Sequence, residues 1–115
     1  MTLDVIEEFR FDIYLSGPMT GIEDYNRPAF SELADNLRSY GFTVFNPAEV
    51  GDPKVIRSRS FYMRHDLKAL LQSKQVYVLE GWSTSEGACL EVAIAKELGI
   101  PVIYSSHPSA KRERA

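Results

Sequence analysis

The sequence predicts a small α/β domain: a doubly wound, flavodoxin- or Rossmann-like parallel sheet of strand order 2-1-3-4 with helices on both faces. Short apolar runs alternate with stretches of helical periodicity along the chain. Two junctions between run and helix are glycine-containing loops, "SGPMTGIEDYN" and "EGWSTSEG". At 115 residues and 44% hydrophobic content, the chain can fill one core but not two, so residues 1–115 are read as a single domain with tails at 1–10 and 106–115. Strands that alternate with helices pair in parallel, because right-handed crossovers place the helices on the sheet faces.

The first strand is "FDIYLSG", Phe11 to Gly17, an apolar run ending in a glycine turn. "NRPAFSELADNLRSYG" follows as a helix with Asn26 as N-cap and Pro28 in the first turn. Phe30, Leu33, Leu37 and Tyr40 form its apolar stripe, and Gly41 ends it. "FTVFNP", Phe42 to Pro47, is a second strand stopped by its proline, and a polar connection runs on through Arg59. Ser60 to Ser73 is a second helix, with Phe61, Met63, Leu67, Leu70 and Leu71 mostly on one side. "QVYVLEG" from Gln75 is the third strand. "STSEGACLEVAIAKELG" is the third helix, capped by Ser85 and closed by Gly99, and "IPVIYS" is the fourth strand.

Composition narrows the function. A net charge of -3, from 13 Lys plus Arg against 16 Asp plus Glu, gives no footprint for a polymeric nucleic-acid backbone, though a single nucleotide remains open. The basic run Lys111 to Arg114 reads as a solvated tail. With one cysteine and no His/Cys cluster, neither an intrachain disulfide nor a metal site is expected. No apolar run reaches the roughly 18 residues of a membrane span, and the acidic start lacks a signal peptide's basic flank. The expected location is the cytoplasm.

In a doubly wound sheet the ligand crevice opens at the carboxyl ends of strands 1 and 3, where the strand order reverses. The loop Ser16, Gly17, Pro18, Met19, Thr20, Gly21 lies there and brings backbone N–H groups and a helix start within reach of an anion or sugar. It also reads as a plain tight turn, for it matches no dinucleotide or phosphate-loop pattern. Ser85 either caps its helix or adds a ligand, and Trp82 either stacks on a base or covers the core. Glu91 is the most unusual residue. Its helical neighbours are Gly87, Ala88, Ile94 and Ala95, so it lies on a face of small or apolar side chains, either reaching water at the rim or acting in the crevice. Asp66 is a second candidate carboxylate, or an acid complementing its helix dipole. Tyr14 is a core residue whose hydroxyl needs a partner. His65 and His107 stand apart from any nucleophile, and Cys89 reads as a small buried apolar residue.

Taken together, "YLSGPMTG", "HDLKALLQSKQVYVLEGW" and "STSEGACLEVAIAKELGIPVIY" resemble the nucleoside 2-deoxyribosyltransferase superfamily, which includes 2'-deoxynucleoside 5'-monophosphate N-glycosidases and small phage and bacterial proteins. The resemblance spans residues 11–105. Its most specific part is Ser85, Gly87 and Glu91 in an S-x-G-x-x-x-E pattern, preceded by Asp66-Leu67 on a helix.

The resemblance implies that Glu91 is the nucleophile, that Tyr14 orients it and that Asp66 assists departure of the base. It assigns Gly17, Gly21, Ser85 and Gly87 to the sugar and, in nucleotide hydrolases, the 5'-phosphate. Where those hydrolases carry a serine and an arginine, this chain has Pro18 and Thr20, which leaves Thr20, the loop N–H groups and Arg27 for a phosphate. Asn46, ending strand 2, is a candidate base or sugar contact. The activity implied is cleavage of a base from a (deoxy)nucleoside or its 5'-monophosphate through a glycosyl-enzyme. Base exchange by a deoxyribosyltransferase and non-catalytic nucleotide sensing are the alternatives. No cofactor is implied. The apolar third helix and the resemblance both point to a homodimer or larger homo-oligomer, with Ser105 and Ser106 reaching a neighbour's site.

Overall fold

The computed structural model describes residues 9–52 and 54–104. Strand β1 (Phe11–Ser16) pairs in parallel with β2 (Val44–Phe45) on one side and β3 (Ser73–Val78) on the other, and β3 pairs in parallel with β4 (Val102–Tyr104). The resulting order β2-β1-β3-β4 is the one the sequence predicts. Helices α1 (Arg27–Ser39), α2 (Arg59–Leu71) and α3 (Glu86–Glu97) make the crossovers.

Strand β1 organises both halves of the core because successive side chains leave it on opposite faces. Ile13 and Leu15 meet Phe30, Ala34 and Leu37 of α1, together with Val44 and Leu79. Tyr14 points the other way and packs with Ala69 and Leu70 of α2, Val76 and Val78 of β3, and Val92 and Ala95 of α3. The helices therefore cover both faces, α1 on one and the α2/α3 pair on the other. The α1 stripe of Phe30, Ala34 and Leu37 has the i, i+4, i+7 spacing of a single buried face. In α3 the buried set is Ala88, Glu91, Val92 and Ala95, so a carboxylate occupies a core position of an otherwise apolar stripe.

The ends of the elements follow local chemistry. Ser58 and Ser85 cap α2 and α3 by accepting from Phe61 N and Ala88 N, at 3.1 Å each. Gly41 stops α1 with φ of 94°, a conformation available to it without a Cβ penalty. Gly17 is glycine for a packing reason: a Cβ there would stand 2.8 Å from Leu79 Cβ.

Asn26 stands at the N-cap position of α1 but forms no side-chain cap; its amide donates to Pro18 O at 2.9 Å and ties the first loop to the helix. Tyr40 is 75% exposed, because α1 ends at Ser39 and the chain turns before the tyrosine can join the stripe. Leu71 is exposed, since α2 buries its C-terminal end through Ala69 and Leu70. Cys89 is exposed too: it follows the buried Ala88 by one residue, a rotation of about 100° that takes it off the core face. Strand β2 is limited to two residues, and β3 begins at Ser73 rather than Gln75. Residues 1–8, Ser105, Ser106, His107 and the basic run lie outside the described residues. Among the described residues no helix is long and apolar enough to cross a membrane.

Candidate active site

The site begins with the two-residue period of β1. Tyr14 and Ser16 leave the strand on the same face, toward α3, and Glu91 comes down from the buried stripe of α3 to meet them. The Tyr14 hydroxyl donates to Glu91 Oε2 at 2.8 Å and the Ser16 hydroxyl donates to Oε1 at 2.6 Å. Tyr14 and Ser16 are fully buried and Glu91 is 7% exposed. Each carboxylate oxygen thus has one short neutral donor, and none of the ion pairs among the described residues involves Glu91.

This environment sets the protonation states. Burial raises the pKa of Glu91, while the hydrogen bonds from Ser16 and then Tyr14 favour the charged form and oppose the rise. Burial, then the charge of Glu91 and of Asp66, hold the Tyr14 phenol well above its ordinary value, so it stays a donor. Asp66 of α2 is pushed from 3.8 to about 7, by burial first and by the Glu91 charge second. Its Oδ1 is buried with no hydrogen-bond partner among the described residues. Two donors on Glu91 and none on that Asp66 oxygen make Glu91 the better anion of the pair and Asp66 the better acid.

A cavity of about 550 Å³ reaches Asp66 from outside. Its floor and one wall are Met19 and Thr20 after β1, and Pro47, Ala48 and Val50 after β2. The connection from β2 to α2 folds back to supply Val55, Ile56 and Arg57, and the first turns of α2 add Arg59 and Tyr62. The cavity lies over the carboxyl ends of β1 and β2, displaced from the expected crevice between β1 and β3. The loops after β1 and β3 approach each other beside it: a Cβ at Gly81 would stand 3.4 Å from Pro18 Cγ.

Of the residues singled out in the sequence, Met19, Thr20, Arg27 and Asp66 line this cavity. Arg27 is paired with Asp24 at 2.8 Å. Tyr14, Ser16 and Glu91 form the buried triplet behind it. Asn46 is 2% exposed; its Oδ1 accepts from Ala48 N at 2.9 Å, and its Nδ2 lacks a hydrogen-bond partner among the described residues. Gly87 is not demanded by packing, for a Cβ there would meet Met63 Cε at a comfortable 3.8 Å. Ser85 is spent on its helix cap. Gly21 has φ of 85° and open space around it, and Pro18 accepts from Asn26. Trp82 packs on Tyr104, ring centroids 5.6 Å apart, outside the cavity.

The sequence places Ser16 in the loop offered to an anion or sugar, and in the structure its hydroxyl is aimed at Glu91. The signal was present: Tyr14 and Ser16 are two apart on one strand and must share a face. Tyr25, Tyr62, Arg57 and Arg59 were missed. The left-handed backbone of Asp24, Tyr25 and Asn26, with φ of 53°, 52° and 62°, that places Tyr25 has no glycine to announce it.

The fold is that of the nucleoside 2-deoxyribosyltransferase-like α/β proteins. The structure is similar to that of a 2-deoxyribosyltransferase from the psychrotolerant bacterium Bacillus psychrosaccharolyticus, with a TM-score of 0.67 and 27% identity over 82% of this chain and 71% of that one. That enzyme is described as a biocatalyst for the synthesis of antiviral and antitumoral nucleosides. The chain itself belongs to the DUF4406 family, described as a domain of unknown function, whose model matches residues 11–104. Among curated proteins none matches it significantly.

Proposed function

We propose that the protein is an N-glycosidase that releases the base from a (deoxy)nucleoside or its 5'-monophosphate. The observation that carries this reading is the Tyr14–Glu91–Ser16 triplet, a buried carboxylate held by two neutral donors, with the high-pKa Asp66 near it. The similarity to a deoxyribosyltransferase supports nucleoside chemistry.

In the first step a Glu91 oxygen attacks C1' as the C1'–N bond breaks, through an oxocarbenium-like transition state. The proton on Asp66 goes to the departing base nitrogen. In the second step water attacks C1' of the glycosyl-enzyme and gives its proton to Asp66, and Glu91 leaves as a carboxylate. A second base in place of that water gives deoxyribosyl transfer by the same first step. The hydrogen bonds from Tyr14 and Ser16 fix the rotamer of Glu91, and orientation of this kind lowers the barrier to attack. They also stabilise the carboxylate as a leaving group in the second step.

The test is chromatography of a panel of deoxynucleosides, ribonucleosides and their 5'-monophosphates, with and without an acceptor base. Free base without acceptor indicates hydrolysis, and new nucleoside with acceptor indicates transfer. Absence of both across the panel would sink the reading. Ser16→Ala is expected to lower kcat about tenfold and to move the acid limb of the pH–rate profile upward, since it removes a donor that favours ionised Glu91. An unmoved acid limb would show that Ser16 does not act through Glu91.

Self-association belongs to the same reading. Leu90 of α3 and Leu98, the residue that caps its C-terminus, are 41% and 54% exposed, and Ile103 of β4 is 36% exposed. Light scattering should give a dimer or larger species that Leu90→Lys/Leu98→Lys converts to monomer; a monomeric parent protein would refute this.

A further inference from the structure

The mouth of the cavity carries a charge pattern that the base-release reading does not use. Arg27, Arg57 and Arg59 line it, and among the described residues the one carboxyl in the lining is Asp66, whose pKa burial raises to about 7. Arg27 is balanced by Asp24, but no carboxylate of the described residues forms an ion pair with Arg57 or Arg59. The whole chain has a net charge of -3, so this local excess of cations runs against the composition.

Arg57 and Arg59 also break a local rule. They flank Ser58, the N-cap of α2, where the positive end of a 13-residue helix favours acidic side chains. The first turn of α2 contains no acid, whereas that of α3 contains Glu86. Two arginines at the wrong end of a dipole cost stability unless an anion completes the arrangement. Conflicts of this kind between local preference and residue choice concentrate at functional sites. The Arg57 guanidinium lies 4.9 Å from the Phe61 ring centroid, a contact that orients it without neutralising it.

We infer that the β2–α2 connection and the first turn of α2 form a phosphate-binding subsite, in which Arg57 and Arg59 grip the phosphate of a nucleotide whose sugar lies toward Asp66. The inference rests on the reading of this cavity as a nucleoside site and selects the phosphorylated substrate over the free nucleoside. It moves phosphate recognition from the loop after β1, where Pro18 packs against Gly81 and accepts from Asn26, to an arginine pair on the other wall. Guanidinium groups suit the task because they present paired donors to phosphate oxygens and remain charged at every working pH.

The experiment is calorimetric titration of the full chain carrying Glu91→Gln, to stop turnover, with a deoxynucleoside, its 5'-monophosphate and inorganic phosphate, beside the same protein with Arg57→Gln/Arg59→Gln added. The expected result is that the monophosphate binds more tightly than the nucleoside and that the arginine substitutions reduce this preference about tenfold or more. Binding of inorganic phosphate that is lost with the arginines separates recognition of the group from recognition of the nucleotide and supports the subsite. In the ligand-free protein, Arg57→Gln/Arg59→Gln should also raise Tm, since the frustration at the helix start is relieved. A preference unchanged by the substitutions overturns the subsite even if base release is observed. Arginine-dependent nucleotide binding, with no base released by the parent protein carrying Glu91, supports the subsite and removes the catalytic reading.

Discussion

Glu91→Ala is expected to abolish base release, lowering kcat/KM by about four orders of magnitude or more, as removal of a nucleophile does where no other group can replace it. The neighbours of Glu91 supply no substitute. Tyr14 and Ser16 are buried neutral donors, and the pKa of Asp66 is raised toward the protonated form. Alanine would also strand two buried hydroxyls, at a cost of about 1–3 kcal/mol each where water cannot reach them. That cost is offset in part because a buried charge disappears. Glu91→Gln separates the two effects: its amide keeps the shape and one acceptor oxygen, so the fold should persist while attack on C1' stops. Base release should therefore be lost in both variants, with thermal unfolding near that of the parent for glutamine. Intact-protein mass spectrometry after rapid mixing with substrate should show one added sugar on the parent and none on Glu91→Gln. Turnover at the parent rate in Glu91→Gln would reduce Glu91 to a hydrogen-bonding group for the sugar and favour a nucleotide-sensing module.

The same carboxylate shows how far the sequence could be read. The placement of Glu91 among Gly87, Ala88, Ile94 and Ala95 already put it on the helix face that the structure buries, because helical periodicity is a local property. The sheet order was legible for a similar reason: each apolar run is separated from the next by one helix, and chirality leaves few ways to wind them. What a residue's own segment does not determine was read less well. Asn26 looked like a cap, yet a carbonyl eight residues earlier claims its amide. Cys89 looked buried by residue type, and one step of helical rotation turns it outward. Ser16 was grouped with the loop that follows it, whereas its strand parity turns its hydroxyl toward Glu91. The cavity wall was the least legible part. Residues 55–59 carry no periodicity, and only the folded path of the connection brings Ile56 and Arg57 to the same cavity as Thr20.

Asp66→Asn should separate acid catalysis from electrostatic strain. With Asp66 raised to about 7, the parent enzyme should lose base release as pH rises through that value, because the proton destined for the base is lost. Asparagine supplies no proton, so the rate should fall by about two to four orders of magnitude and the limb near pH 7 should vanish. A base that departs readily without a proton should be affected least. Stability moves the other way. A carboxyl whose pKa is higher in the folded state contributes stability that is fully present below its unfolded value of 3.8 and is lost progressively as pH rises through about 7. Above that pH the parent keeps an anion close to the Glu91 charge, while Asp66→Asn does not. Allowing for solvent screening at a partly exposed group, the variant should be more stable than the parent by about 1–3 kcal/mol at pH 8, with little or no such advantage at pH 4. Urea unfolding of both proteins at the two pH values measures the difference directly. A stability difference independent of pH would mean that Asp66 is not strained by burial and by Glu91, and the acid assigned to the leaving base would have to be sought elsewhere.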